Sequence, residues 1–126
     1  MNMQTVKTAD LIGPALDWAV AQCEGYTFED DASFAAYREE DGRFNYSTDW
    51  AQGGPIIDQQ KITVGPYHNH DGTTTGVFQS YIGWANETFD SKFQCDGPTS
   101  LIAAMRCYVA SKLGNSIAVP AELVTN

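Results

Sequence analysis

Two stretches of this sequence carry residue types that could do chemistry. The first is His68-Asn69-His70-Asp71. Two imidazoles spaced by one residue point to the same side of a strand and could share a metal ion, with Asp71 adding an oxygen. They are the only two histidines in 126 residues, and they sit in the Gly- and Thr-rich run GPYHNHDGTTTG with no Cys or His partner nearby. A polar hairpin tip is therefore the favoured reading, and no metal ligand is assigned. A phosphodiesterase built on His68 or His70 is the enzymatic alternative. The GxSxG elbow, the P-loop, GxGxxG and HExxH are all absent, so no catalytic residue is assigned and no cofactor is expected.

The second stretch is STDWAQGGPII, residues 47–57. Thr48 can cap a helix whose first residues are Asp49 and Trp50. Such a start leaves backbone N–H groups pointing outward, and glycines let a ligand approach the main chain closely. Together they can hold a phosphate in a protein without basic patches, while Trp50 offers a face on which a base can stack. Arg106 is the other singular residue, one guanidinium in the apolar run LIAAMRCYVA. It can clamp a phosphate through two parallel hydrogen bonds, or pair with a carboxylate such as Asp49 and pin the last helix to this corner. The candidate ligand-binding set is Thr48, Asp49, Trp50, Gln52, Gly53, Gly54 and Arg106.

The elements that must position these residues are read from periodicity. TADLIGPALDWAVAQCEG predicts a helix from about residue 9, with Thr8 as cap and Gly25 as stop; the alternative start is Pro14. Cys23 falls on its apolar stripe. Phe28, Phe34, Tyr37 and Phe44 anchor residues 26–46, and DDASFAAYREED could form a short helix ending at Gly42. Pro55 would break a continuous helix, so the expectation is a capped turn at 48–52 followed by a helix with Pro55 near its start, running to Gln59 or Gln60. QKITV (60–64) and GVFQSYIGWANE (76–87) alternate and are expected as two strands of an antiparallel hairpin around the polar loop, with a third strand within Trp84–Gln94. TSLIAAMRCYVASKLG predicts the last helix, capped by Thr99, with Leu101, Met105, Tyr108 or Val109, and Leu113 on its apolar stripe and Gly114 as its stop. IAVPAEL is extended, and Pro120 keeps it out of a central strand. The fold class expected is α+β: a small antiparallel β-meander packed with N-terminal and C-terminal α-helices as a helix–sheet–helix sandwich, in a single domain over residues 1–126. Trp18 and Trp84 are assigned to the core, whereas Tyr81 and Asn86 could line a pocket on the open face of the sheet.

Composition bounds the partners. Hydrophobic content of 43% and charged content of 18% are those of a globular chain. The formal charge is −9, from 16 acidic and 7 basic residues. Nucleic-acid backbones need Lys/Arg clusters, so no direct nucleic-acid partner is expected. No apolar run is long enough to span a bilayer, so no membrane partner is expected either. The start MNMQTVKTAD lacks a signal-peptide layout. Acid concentrates between Glu24 and Asp41, a solvated face or a surface for a basic host protein. Cys23, Cys95 and Cys107 are an odd number without CxxC spacing and read as reduced thiols, Cys23 and Cys107 in the core.

STDWAQGGPII, GPTSLIAAMRCYVASKLG and the N-terminal ALDWAVA together resemble the NinX family, small proteins from the nin region of lambdoid phages. The resemblance spans most of the chain and is weakest over 26–46 and 66–80. Family members often carry Gly-Pro-Thr-Pro before the last helix where this chain has Ser100, and proline there would suit the same helix start. The resemblance implies a phage accessory protein acting in the host bacterial cytoplasm, and it implies no reaction. The leading functional expectation is non-catalytic sequestration of a small anionic ligand such as a nucleotide signal of host defence, with the site at a subunit interface of a homo-oligomer as one arrangement. The alternative is an acidic interaction module that inhibits or redirects a host protein through residues 24–41.

Overall fold

The protein is described by a computed structural model that covers residues 2–27, 33, 34, 36, 42–84 and 91–124, without the side chains of Thr74, Trp84, Ser91, Lys92 and Phe93. In chain order its elements are β1 (Met3–Lys7), a 3-10 turn (Thr8–Asp10), α1 (Gly13–Cys23), α2 (Trp50–Gln60), β2 (Thr63–His68), β3 (Thr74–Trp84), β4 (Ser91–Gly97), α3 (Ser100–Leu113), β5 (Ser116–Pro120) and a second 3-10 turn (Ala121–Leu123). The expected segment at 30–41 lies outside the described residues apart from Ser33, Phe34 and Ala36, which are helical. The readings at Phe28, Tyr37, Asn86 and the Trp84 side chain also lie outside them.

Local chemistry explains where each helix begins and ends. A helix running from residue 9 would drive the Pro14 ring into the carbonyl of Asp10. The chain instead makes the 3-10 turn, passes extended through Leu11 and Ile12, and starts α1 with proline in its first turn. The start near residue 9 is thus corrected to Gly13, and Thr8 is no cap: it is buried, and its hydroxyl donates to Gly114 O at 2.6 Å. At the other end Gly25, at φ +93, takes the left-handed position. Tyr26 N then donates to Ala21 O (3.0 Å) and Gly25 N to Gln22 O (3.1 Å), the Schellman arrangement that satisfies the last carbonyls.

Two expectations for α2 are also corrected. Its cap is Asp49 rather than Thr48, with the carboxylate accepting from Ala51 N at 2.9 Å. The helix then runs unbroken through Pro55. Proline removes one ladder bond, to the carbonyl of Ala51, and Ala51 is exposed, so water can meet that carbonyl. The burial of Gly53 and Ile56 holds the remaining turns in place. The helix closes on Lys61 in the left-handed region (φ 55), and Ile62 N returns to Ile57 O at 3.0 Å, so the strand begins at Thr63 and not at Gln60.

β2, β3 and β4 form the expected antiparallel meander, in that order. Its first hairpin is tighter than the sequence implies. β2 extends through His68, which pairs with Thr74, and only residues 69–73 turn. Asp71 Oδ1 accepts from Thr73 N (2.9 Å) and Thr73 Oγ1 (2.6 Å) and braces the tip. β1 was not legible in the sequence; it pairs antiparallel with β5 from Met3↔Pro120 to Lys7↔Ser116.

The fold is the expected α+β class, with α3 as its middle layer. From Leu101 to Ala110 every residue except Arg106 is buried, and α3 touches β2, β3, β4, α1 and α2. A helix that is apolar nearly all round belongs inside a domain, and Leu113, expected on a stripe, is 40% exposed. The core gathers Leu11, Leu16, Val20, Phe34, Phe44, Ile56, Met105, Val109 and Val119. Trp18 and Cys23 pack against it half-buried.

Candidate functional site

Residues 42–50 are placed from below by aromatic packing. Phe34 stacks on Phe44 (ring centroids 5.3 Å apart), Tyr26 meets Phe44 edge-on at 5.2 Å, and Tyr46 follows at 6.4 Å. Burying Phe44 and Tyr46 brings Ser47 onto α1, where Asp17 waits, itself fully buried. Ser47 donates twice to Asp17 Oδ1, from N at 2.9 Å and from Oγ at 2.7 Å. The chain then turns, with Thr48 N and Asp49 N both donating to Asn45 O, and enters α2.

This turn brings two helix N-termini together over one cleft. Ser47, Thr48 and Trp50 form one wall, Thr99, Ser100, Leu101 and Ile102 at the start of α3 form the other, and Phe78 of β3 closes the floor. The cleft measures about 430 Å³, within the range of small-molecule sites. Trp50 stands 56% exposed in it, the most exposed of the large apolar side chains among the described residues.

The two helix ends differ in charge. At α2 the cap is the Asp49 carboxylate, which already occupies the positive end of the dipole and would repel an anion. At α3 the cap is a neutral hydroxyl: Thr99 Oγ1 accepts from Ile102 N at 3.1 Å. The first two N–H groups of that helix, on Ser100 and Leu101, precede its internal ladder and belong to residues that line the cleft. The end suited to an acceptor or an anion is therefore the α3 end.

Of the seven residues singled out from the sequence, Thr48 and Trp50 line the cleft. Asp49 caps α2. Gln52 braces the preceding loop: its Oε1 accepts from Asn45 N at 2.8 Å, and its Nε2 donates to Gly42 O and, at 3.3 Å, to Asp49 Oδ2. Gly53 serves packing, since a Cβ there would lie 2.5 Å from both Leu101 Cδ1 and Tyr46 O. Gly54 is half-buried, with Trp50 Cε3 3.9 Å from where its Cβ would be.

Arg106 lies elsewhere. Its Nε donates to Leu11 O (2.7 Å) and its Nη1 to Asp96 O (2.8 Å), so it pins α3 to the approach to α1 and to the end of β4. The expected pairing with Asp49 is corrected to these two carbonyls. Arg106 borders a separate cleft with Ala9, Gln94, Cys95 and Asp96.

The sequence reading missed Phe78, Ser47 and residues 99–102 as neighbours of Trp50. Only the Gly-Pro-Thr cap was a local signal, and it pointed to a helix start. Tyr81 is half-buried on β3, its hydroxyl 2.5 Å from Gln79 Oε1. His68 and His70 are exposed at the hairpin tip. Among the described residues no group of three or more His, Cys, Asp or Glu is arranged to hold a metal, and no helix is long and apolar enough to cross a membrane.

A family model described as Bacteriophage P22, NinX matches residues 7–112. The chain belongs to this phage family. The NinX match runs from the end of β1 almost to the end of α3 and so takes in Asp17, Ser47, Trp50, Phe78 and both helix starts. Most of the β1–β5 ribbon falls outside it. The resemblance of STDWAQGGPII and the last helix to NinX proteins is therefore a membership. No match is found among curated proteins.

Proposed function

We propose that this NinX-family protein is a non-catalytic phage accessory protein that binds and sequesters a small aromatic anion of the nucleotide class in the cleft between Trp50 and the start of α3. A nucleotide signal of antiphage defence in the infected cell is the concrete form of such a ligand. The observation that carries this reading is an exposed tryptophan facing a helix N-terminus with a neutral cap across a cleft of about 430 Å³. Trp50 and Phe78 supply apolar faces for a base. The Ser100 and Leu101 N–H groups, with the Thr48 and Ser100 hydroxyls, supply donors for phosphate oxygens, while Ser47, both of its hydrogens committed to Asp17, shapes the wall.

Titration calorimetry and Trp50 fluorescence with a panel of mononucleotides and cyclic nucleotides test it. Saturable binding at one site per chain, weakened at least about tenfold by Trp50→Ala, is the expected result. Heat and fluorescence that stay flat across the panel overturn it, as does equal affinity in Trp50→Ala.

A further inference from the structure

β4 and α3 approach so closely at one point that only a glycine fits. A Cβ on Gly97 would lie 2.6 Å from Ala103 N and 3.2 Å from Ala103 Cβ. From that point the strand, followed backwards, and the helix, followed forwards, run the same way. Two residues of strand cover about 6.8 Å and four of helix about 6 Å, so Cys95 arrives beside Cys107. Ser80, fully buried on β3 opposite Cys95, ties this junction. Its Oγ lies 2.5 Å from Ala103 O and 3.1 Å from Cys95 O. The Cys107 thiol hydrogen-bonds to Cys95 and also meets the Ser80 hydroxyl.

The two thiols differ in access. Cys107 is fully buried, whereas Cys95 is half-buried and borders a cleft of about 410 Å³ with Ala9, Gln94, Asp96 and Arg106. The two carbonyl bonds of Arg106 hold its guanidinium at that cleft.

We propose that Cys95 and Cys107 form a reactive dithiol that small-molecule disulfides convert to an internal Cys95–Cys107 disulfide, with Cys95 as the attacking sulfur. The thiolate of Cys95 attacks one sulfur of glutathione disulfide, a new S–S bond forms, and one glutathione leaves as its thiolate. Cys107 then attacks the Cys95 sulfur, and the second glutathione leaves as a thiolate that takes up the Cys107 proton. Two protein thiols are oxidised and one disulfide is reduced, so atoms and electrons balance.

The electrostatics suit this order. The hydrogen bond from Cys107 holds the Cys95 thiol below its usual range against the opposing effect of burial, and the Arg106 charge helps. The Cys107 thiol is pushed up, first by that same bond to Cys95 and then by burial. Once Cys95 carries glutathione, its sulfur no longer accepts the Cys107 proton as a thiolate would, and the first cause that holds Cys107 protonated is weakened. Cys23 is an internal control, pushed up to about 12 by burial and then by the Glu24 carboxylate.

The test treats the folded protein with glutathione disulfide, quenches with N-ethylmaleimide in denaturant and maps peptides. Trypsin cuts after Arg106, so Cys95 and Cys107 fall on separate peptides. The expected product joins these peptides with the loss of two hydrogens, leaves Cys23 alkylated, and forms at least about tenfold faster than any adduct on Cys23. Cys107→Ala is expected to stop at the glutathione adduct on Cys95, and Cys95→Ser to leave Cys107 unmodified. If the Cys107 variant fails to fold, the wild-type time course decides the order, with the Cys95 adduct preceding the internal disulfide. Modification of Cys23 first, or recovery of Cys95 and Cys107 as separate alkylated thiols, overturns the proposal.

Discussion

Asp17 Oδ1 receives both hydrogens that Ser47 has to give, at 2.9 Å from its N–H and 2.7 Å from its hydroxyl, across thirty residues of chain. Both residues are buried, so neither water nor a surface side chain can stand in for this contact.

Asp17→Ala should therefore cost about 3 kcal/mol, because it strands two buried donors as well as removing charge-assisted bonds. Urea unfolding reads the loss as a lower midpoint at unchanged slope. Asp17→Asn keeps one amide oxygen in place and should lose less. Since Ser47 lines the cleft, both variants should also bind nucleotide more weakly than their remaining folded fraction predicts.

Gly53 and Gly54 are neighbours in α2 with opposite surroundings. Alanine at either position favours the helix by about 0.5–1 kcal/mol. At Gly53 the new methyl would meet Leu101 Cδ1 and Tyr46 O at 2.5 Å, and Tyr46 O is backbone that cannot swing away. Gly53→Ala should thus destabilise the protein by about 1–3 kcal/mol. At Gly54 the nearest atom is 3.9 Å away, so Gly54→Ala should raise the melting temperature. Paired thermal melts decide both.

Arg106 holds two carbonyls and borders a cleft other than that of Trp50. Arg106→Ala should lower stability by about 1–3 kcal/mol by stranding the carbonyl of buried Leu11 and losing the bond to Asp96 O, yet leave the affinity of the folded protein for nucleotide unchanged. A loss of affinity matching that of Trp50→Ala would move the ligand to the Arg106 cleft.

Ionic strength offers a different test of the anion reading. A net charge of −9 repels a nucleotide at long range, while the local contacts at the start of α3 are partly buried and less screened. Association should therefore speed up with added salt, the reverse of an ordinary basic nucleotide site. Stopped-flow fluorescence of Trp50 measures it.

Alkaline pH should unfold the protein through groups that include Tyr46, Cys23 and Tyr108. Burial first, and then the nearby Tyr26, Glu24 and Asp17, push Tyr46 up to about 12 from 10.0, and burial with Glu24 pushes Cys23 up to about 12 from 9.0. Tyr108 is raised by burial and by its 2.7 Å bond to Glu24 Oε2. Each group is neutral in the folded state at pH values where it ionises when unfolded. The stability this contributes is complete below the unfolded values and is lost as pH climbs from 9.0 towards 12. Urea midpoints across that range should fall, and less steeply in Tyr46→Phe.

What the sequence by itself determined were the features that a few neighbouring residues decide. Thr99 three residues before Ile102, Gly25 and Gly114 after their helices, and alternation through residues 77–82 set caps, stops and a strand, because capping and pleating are local geometry. The NinX likeness was legible for the same reason, since its motifs are contiguous. Pro14 and Pro55 show the limit of that reading. Each prohibits one hydrogen bond. Whether the helix starts there or runs through depends on how much burial holds the neighbouring turns, and α2 is held by Gly53 against Leu101. Tertiary structure alone decided the contacts between distant segments: Asp17 with Ser47, β1 with β5, Trp50 across from Ser100, and Cys95 beside Cys107. These residues meet because the nearly all-apolar α3 is buried in the middle of the molecule, and everything that covers it is brought within reach of everything else. No pattern within a single segment encodes which residues those will be.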